Sequence, residues 1–167
     1  MDKYFDIYNT DKFIVKPAVS GGSKNTFKVT SENVDEIDEK LKSLVAIEDF
    51  IIQPFLKEIE EEGELSFLFF NGKFSHALLK KAAKGDFRVQ ATFGGTVYPQ
   101  KPNEDLITTA QKYVDQFAKG CLYARVDGAM VNNQFMLMEL ELIEPFLFLE
   151  TSEKALENYY QGLVSLI

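Results

Sequence analysis

A chain of 167 residues with 15 Phe and 46% hydrophobic residues can bury a sizeable core, so one compact domain or two small lobes sharing a cleft is expected. Its 26 acidic residues against 18 basic ones, a formal net charge of -8, argue against nucleic acid or an anionic membrane surface as a partner. The single cysteine, Cys121, excludes an intramolecular disulfide and cannot by itself supply a structural zinc site; with an amino terminus too polar for a signal peptide and no apolar run of the roughly 18 residues that span a bilayer, a reducing cytoplasm is the expected setting.

Residues 13–17, FIVKP, read as a short buried strand; SGGSKNT then has turn chemistry, and FKV resumes an extended pattern. From Ser31 to about Ile47, Val34, Ile37, Leu41, Leu44 and Val45 recur near the helical period, which predicts an amphipathic helix capped by Asn33 with Glu36 three residues on. DFIIQPF is a strand ending at a proline, and KEIEEEG a charged connection at which the chain is expected to change lobes. In ELSFLFFNGKFSHALLKK two apolar runs flank Asn71-Gly72, a pair that tolerates positive φ, and so predict an antiparallel hairpin. Residues 81–102 show no sustained periodicity and read as a long irregular segment, of the sort that carries function. Asn103 to about Lys119 returns to helix spacing, CLYARVDGAMV and QFMLMELELIEP form two more strands around Asn132-Asn133, and Ser152 caps a last helix.

The last hairpin carries Asp127 on one strand, and strand alternation puts Glu139 and Glu141, two residues apart, on the same face of its partner, so that three carboxylates can converge. Three converging carboxylates repel one another unless cations neutralise them, and their hard oxygens suit magnesium, which also holds phosphates. Spacing alone leaves two readings open, a metal site or a solvated acidic sheet face. Arg125 shares the face of Asp127, either as a plain ion pair or as a group that stabilises a transferring phosphoryl. Lys16, at a strand end before a Gly-containing loop, suits a phosphate contact, although the loop lacks Walker spacing and a simple turn is the more ordinary outcome. Lys80, Lys81, Lys84 and Arg88 form either an anion site or a solvated charge run. His76, the only histidine, lies in an apolar strand, where a packed role is the ordinary outcome; with no paired Ser or Cys, a hydrolytic triad is disfavoured.

Taken in order, VKPAVSGGSKNT, IIQPFLKEIEEEGELSFLFFNGKFSHALLKK, GDFRVQATFGGTVYP, ARVDGAM and MELELIEP resemble the ATP-grasp superfamily, and within it the glutathione synthetase-type ATP-binding domains. The resemblance runs from Phe13 to Leu149 and implies a role for each matching position. It assigns Lys16 to the nucleotide phosphates and the small-residue loop from Ser20 to Thr26, including Gly21, Gly22 and Ser23, to a mobile cover over them. It gives Gln53, Pro54, Phe55 and Leu56 to adenine, Glu64 to ribose, and Lys80 to the nucleotide. Arg88 matches the arginine that reaches toward an acyl phosphate, Gly94 and Gly95 a tight segment facing the second substrate, and Arg125 an arginine that steadies the reacting phosphate. Asp127 and Glu139 match two magnesium ligands; the third position, often Asn, is Glu141 here.

The fold so implied is α+β, with two lobes, residues 1–55 and 56–167, whose antiparallel sheets clamp Mg-ATP. The activity implied is that of a carboxylate-amine or carboxylate-thiol ligase: ATP activates a carboxylate to an acyl phosphate, which a nucleophile attacks, with two magnesium ions, or manganese in their place, neutralising charge. Family members carry a further amino-terminal domain ahead of the strand matching FIVKP, so the expected partners are a small carboxylate and amine substrate and either that missing domain or a second copy of the chain. The alternative is a non-catalytic nucleotide-binding or partner-dependent fragment.

Overall fold

The computed structural model describes residues 1–19 and 21–167, and the chain divides into two compact units, Met1–Lys57 and Glu58–Ile167. In the first unit, helix α1 (Lys3–Tyr8) precedes β1 (Lys12–Pro17), β2 (Phe27–Thr30), α2 (Val34–Leu44) and β3 (Phe50–Pro54), and the three strands form an antiparallel sheet in the order β2-β1-β3. Phe13, Val15 and Val29 alternate inward and meet Val34, Ile37 and Leu41, the stripe that α2 presents at helical spacing. Burying a side chain such as Phe13 contributes about 1.5–3 kcal/mol. Helix α1, which residue spacing did not predict, adds Phe5, whose ring lies 4.8 Å from that of Phe13.

The helix expected over residues 31–47 is shorter. Val45 and Ile47 are exposed, so past Leu44 no side chain rewards continuing the helix over the sheet. Asn33 precedes α2 without capping it: its Oδ1 accepts from Thr30 N at 2.8 Å and its Nδ2 donates to the Lys28 carbonyl at 3.0 Å, and Glu36 pairs instead with Lys40.

The second unit is built on a five-stranded antiparallel sheet, order β6-β5-β4-β7-β8, from β4 (Glu64–Phe70), β5 (Lys73–Lys81), β6 (Thr96–Gln100), β7 (Tyr123–Val131) and β8 (Gln134–Glu141). Both tight hairpin turns use consecutive positive φ, 45° and 73° at Asn71-Gly72 and 51° and 61° at Asn132-Asn133, as the sequence leads one to expect. Phe67, Phe69, Ala77, Ala124 and Val126 bury one sheet face against Ala110, Val114 and Ala118 of the segment containing α4 (Glu104–Phe117). On the other face, Phe70 packs against Tyr159 and Gly162 of α5 (Ala155–Val164); a Cβ at Gly162 would lie 3.0 Å from that of Phe70, so the helix approaches the sheet closely here.

Three further expectations need correction. KEIEEEG contains a short helix, α3 (Lys57–Glu61). The irregular segment 81–102 supplies the edge strand β6, whose Pro99 faces Leu78; proline lacks the amide that an interior strand must donate, and an edge tolerates it. Ser152 does not cap α5 by its side chain: Lys154 is the N-cap, and the Ser152 carbonyl accepts from Ala155 N at 3.0 Å. Among the described residues no helix is long and apolar enough to cross a membrane.

Candidate functional site

On the sheet face that also carries Phe70, cross-strand pairing collects charge. Lys80 pairs with Glu64, Asp127 pairs with Ser66 on one side and Glu139 on the other, and Arg125 pairs with Glu141; cross-strand partners point to the same face. Carboxylate oxygens of Asp127, Glu139 and Glu141 all lie within 4.8 Å of one another.

Two bulges set this arrangement. Counted back from the Asn132-Asn133 turn, Val131 faces Gln134 and Gly128 faces Leu137, a register that continued would set Met138 opposite Asp127; a shift between Asp127 and Gly128 brings Glu139 there instead. A second shift, between Leu68 and Phe69, sets Lys80 rather than Leu79 opposite Glu64. Gly128 is the residue this geometry requires, because a Cβ would lie 2.4 Å from the Met136 carbonyl oxygen and 2.4 Å from the Phe135 ring.

The acids are balanced by two cations. Lys80 Nζ donates to Glu64 Oε1 at 2.6 Å and to Asp127 Oδ2 at 2.9 Å. Arg125 Nε donates to both oxygens of Asp127 at 3.0 Å, while its NH2 group reaches Glu141. Burial by itself would raise the Asp127 carboxyl, but Lys80 and Arg125 outweigh it and hold the group below its ordinary value of 3.8. Burial also opposes the charge on Lys80, and there Asp127 and Glu64 prevail and raise it. Glu64 and Glu139 are pushed up from 4.5, Glu64 by burial and then by Asp127, Glu139 by desolvation and then by Glu141 and Asp127. Carboxylates so crowded favour a further cation beside them.

Arg125 also donates to the Phe146 carbonyl at 3.2 Å, tying the segment after β8 to this face. His76 does the same one residue on. Its Nε2 lies 3.1 Å from the Leu147 carbonyl, and its Nδ1 is 2.9 Å from Ser75 Oγ, which accepts from Asn158 Nδ2 at 3.0 Å. Since a carbonyl only accepts, Nε2 carries the proton and Ser75 donates to Nδ1. His76 is thus a packed, hydrogen-bonded residue, buried enough that its pKa falls below 6.5.

The other candidate positions fall elsewhere. Arg88 forms a bidentate pair with Asp86 and lies 3.6 Å from the Phe93 ring centroid, with no hydrogen bond or ion pair to the acid cluster among the described residues, and it holds the Asp86 carboxyl down at about 2. Gly94 has φ 80°, and a Cβ at Gly95 would lie 2.1 Å from the Val89 carbonyl oxygen, so this segment is indeed tight. In the first unit, Lys16 lies on β1 opposite Ile51, and Gly22 and Ser23 turn with φ of 61° and 59° beside an exposed Gly21. Ser20 lies outside the described residues. Gln53 pairs with Ile14 and Pro54 with Phe13; Phe55 N donates to the Lys12 carbonyl at 3.2 Å, and Leu56 follows, half-buried. Sequence reasoning missed Ser66, whose hydroxyl is fully buried beside Asp127 with no hydrogen-bond partner among the described residues. A lone serine in the apolar run ELSFLFF was the available signal.

Comparison with known proteins agrees with this architecture. A D-cycloserine synthetase, DcsG, superposes with a TM-score of 0.81 at 24% identity over 99% of this chain and 60% of its own. The D-alanine–D-alanine ligase of Bacillus anthracis gives 0.67 at 18% identity, over 99% and 55%. The macrocyclase MdnC, solved with the precursor peptide MdnA from Microcystis aeruginosa, gives 0.65 at 12% identity, over 98% and 51%. The chain spans 51–60% of the length of these three, and at such identities the likeness is one of fold. No curated protein matches the sequence. The family model described as prokaryotic glutathione synthetase, ATP-grasp domain, matches residues 3–153, and the chain belongs to that family.

Proposed function

We propose that the chain is the ATP- and magnesium-binding module of a ligase that joins a carboxylate to an amine or thiol through an acyl phosphate. The observation that carries this reading is the convergence of Asp127, Glu139 and Glu141 oxygens within 4.8 Å on a face that also holds Lys80 and Arg125. The donor set suits the ion: three hard carboxylates, with the orphaned Ser66 hydroxyl buried next to Asp127. Asp127, Glu139 and Glu141 would hold magnesium, or manganese in its place, and the bound metal would neutralise phosphate charge as it develops.

The chain's own side chains divide the remaining work. Arg125, fixed between Asp127 and Glu141, keeps both acids oriented and offers positive charge to a reacting phosphate. Lys80 brings a second cation to the same face. Arg88 is assigned to the acyl phosphate, Lys16 with Gly21, Gly22 and Ser23 to the nucleotide phosphates, Glu64 to ribose, and the backbone from Gln53 to Leu56 to adenine; the family supports these assignments.

Titration calorimetry with magnesium and a non-hydrolysable ATP analogue tests the binding. Heat should appear with the parent chain and weaken at least about tenfold in Glu139→Gln, an exposed position at which the fold is not at stake. No heat at millimolar ligand would refute the reading. Phosphate release from ATP that requires both an acid and an amine would separate a ligase from a module that only binds nucleotide.

A further inference from the structure

Both oxygens of Asp127 are already engaged by cations: Oδ1 accepts from Arg125 Nε at 3.0 Å, and Oδ2 accepts from Arg125 Nε at 3.0 Å and from Lys80 Nζ at 2.9 Å. The side chain is 0% exposed and Oδ2 already accepts from two donors, so a metal ion that takes Oδ2 has to displace one of them. The two donors are not equivalent. Arg125 is a planar fork locked by two further acceptors, Glu141 and the Phe146 carbonyl. Lys80 is a point charge on a flexible stem, and it keeps a second anchor on Glu64 at 2.6 Å.

We propose that Lys80 is an internal stand-in for the divalent ion on Asp127, released toward Glu64 and a bound phosphate when the ion enters, so that metal and phosphate bind cooperatively. The inference rests on the metal-binding reading above. An ion on Asp127 frees the Lys80 ammonium to donate to a phosphate oxygen, and a phosphate that draws Lys80 away opens Asp127 to the ion. By linkage the two effects are equal in size.

Manganese binding without nucleotide, read from the electron paramagnetic resonance signal of the free ion, tests this in the parent chain, in Lys80→Met and in the double variant Glu64→Gln/Lys80→Met. The double variant removes one charge of each sign and leaves the net charge unchanged. Both variants should bind manganese about fivefold or more tightly than the parent. Parental affinity in both would overturn the proposal, and so would a gain confined to Lys80→Met, which would reduce the effect to net charge. Should a variant fail to fold, the unaltered chain gives the answer: saturating manganese should increase labelling of Lys80 by an amine-selective reagent, read by peptide mass spectrometry, and unchanged labelling overturns the displacement. Absence of manganese binding by the parent, even with a non-hydrolysable ATP analogue, would instead overturn the metal-binding reading, and this proposal with it.

Discussion

Gly128→Ala links the stability of the second unit to the geometry of its acidic cluster. The new methyl would stand 2.4 Å from the Met136 carbonyl oxygen and 2.4 and 2.7 Å from two Phe135 ring carbons, all well inside van der Waals contact. The ring offers little relief, because Phe135 packs edge-on against Phe67 at 5.5 Å in the core. The β8 backbone therefore has to move away from β7 next to the shift that places Glu139 opposite Asp127. Overpacking of this kind costs about 1–3 kcal/mol. For a chain of this size each kcal/mol lowers Tm by about 2–4 °C, so a fall of about 2–12 °C is expected in differential scanning calorimetry. Because Glu139 moves relative to Asp127, manganese affinity should fall about tenfold or more. Gly21→Ala is the stability control, since nothing lies within 4 Å of a Cβ there. Parental Tm together with parental manganese affinity in Gly128→Ala would refute the reasoning.

Other expectations follow from single contacts. The Asp86 carboxyl should titrate at about 2, and Arg88→Met should return it toward 3.8, as carbon-detected NMR would show; with a lowered folded pKa, the stability this pair adds is present above 3.8 and lost as pH falls through about 2. Asn158→Ala removes the donor to Ser75 and should destabilise the second unit by about 1 kcal/mol in urea unfolding, with faster amide exchange around Leu147; unchanged exchange would contradict the Ser75–His76–Leu147 connection. His76 is held neutral by burial, so the unfolded chain binds its proton first and stability declines as pH falls below 6.5. His76→Gln should therefore narrow the difference in Tm between about pH 7.5 and 5.5.

The sequence by itself determined what local spacing and backbone sterics control. Alternation and the two turns with tolerated positive φ made both hairpins legible, the stripe of Val34, Ile37 and Leu41 made α2 legible, and the ordered motifs pointed to the ATP-grasp family. What lay beyond reach was decided by partners distant in the chain. Val97 and Tyr98 form a strand because β5 has a free edge to pair with, and residues past Leu44 leave the helix because no sheet lies under them. The charged row shows the limit most clearly. Counting back from a tight turn sets Met138 opposite Asp127 and Leu79 opposite Glu64, the wrong faces; each pairing is corrected by one extra residue in a bulge. A one-residue shift inverts every side chain beyond it, and periodicity carries no record of where it occurs. Only the β4–β7 pairing then brings Lys80 and Glu64 to Asp127, so that the three acids expected in the last hairpin stand in the folded chain beside cations drawn from outside the hairpin as well as within it.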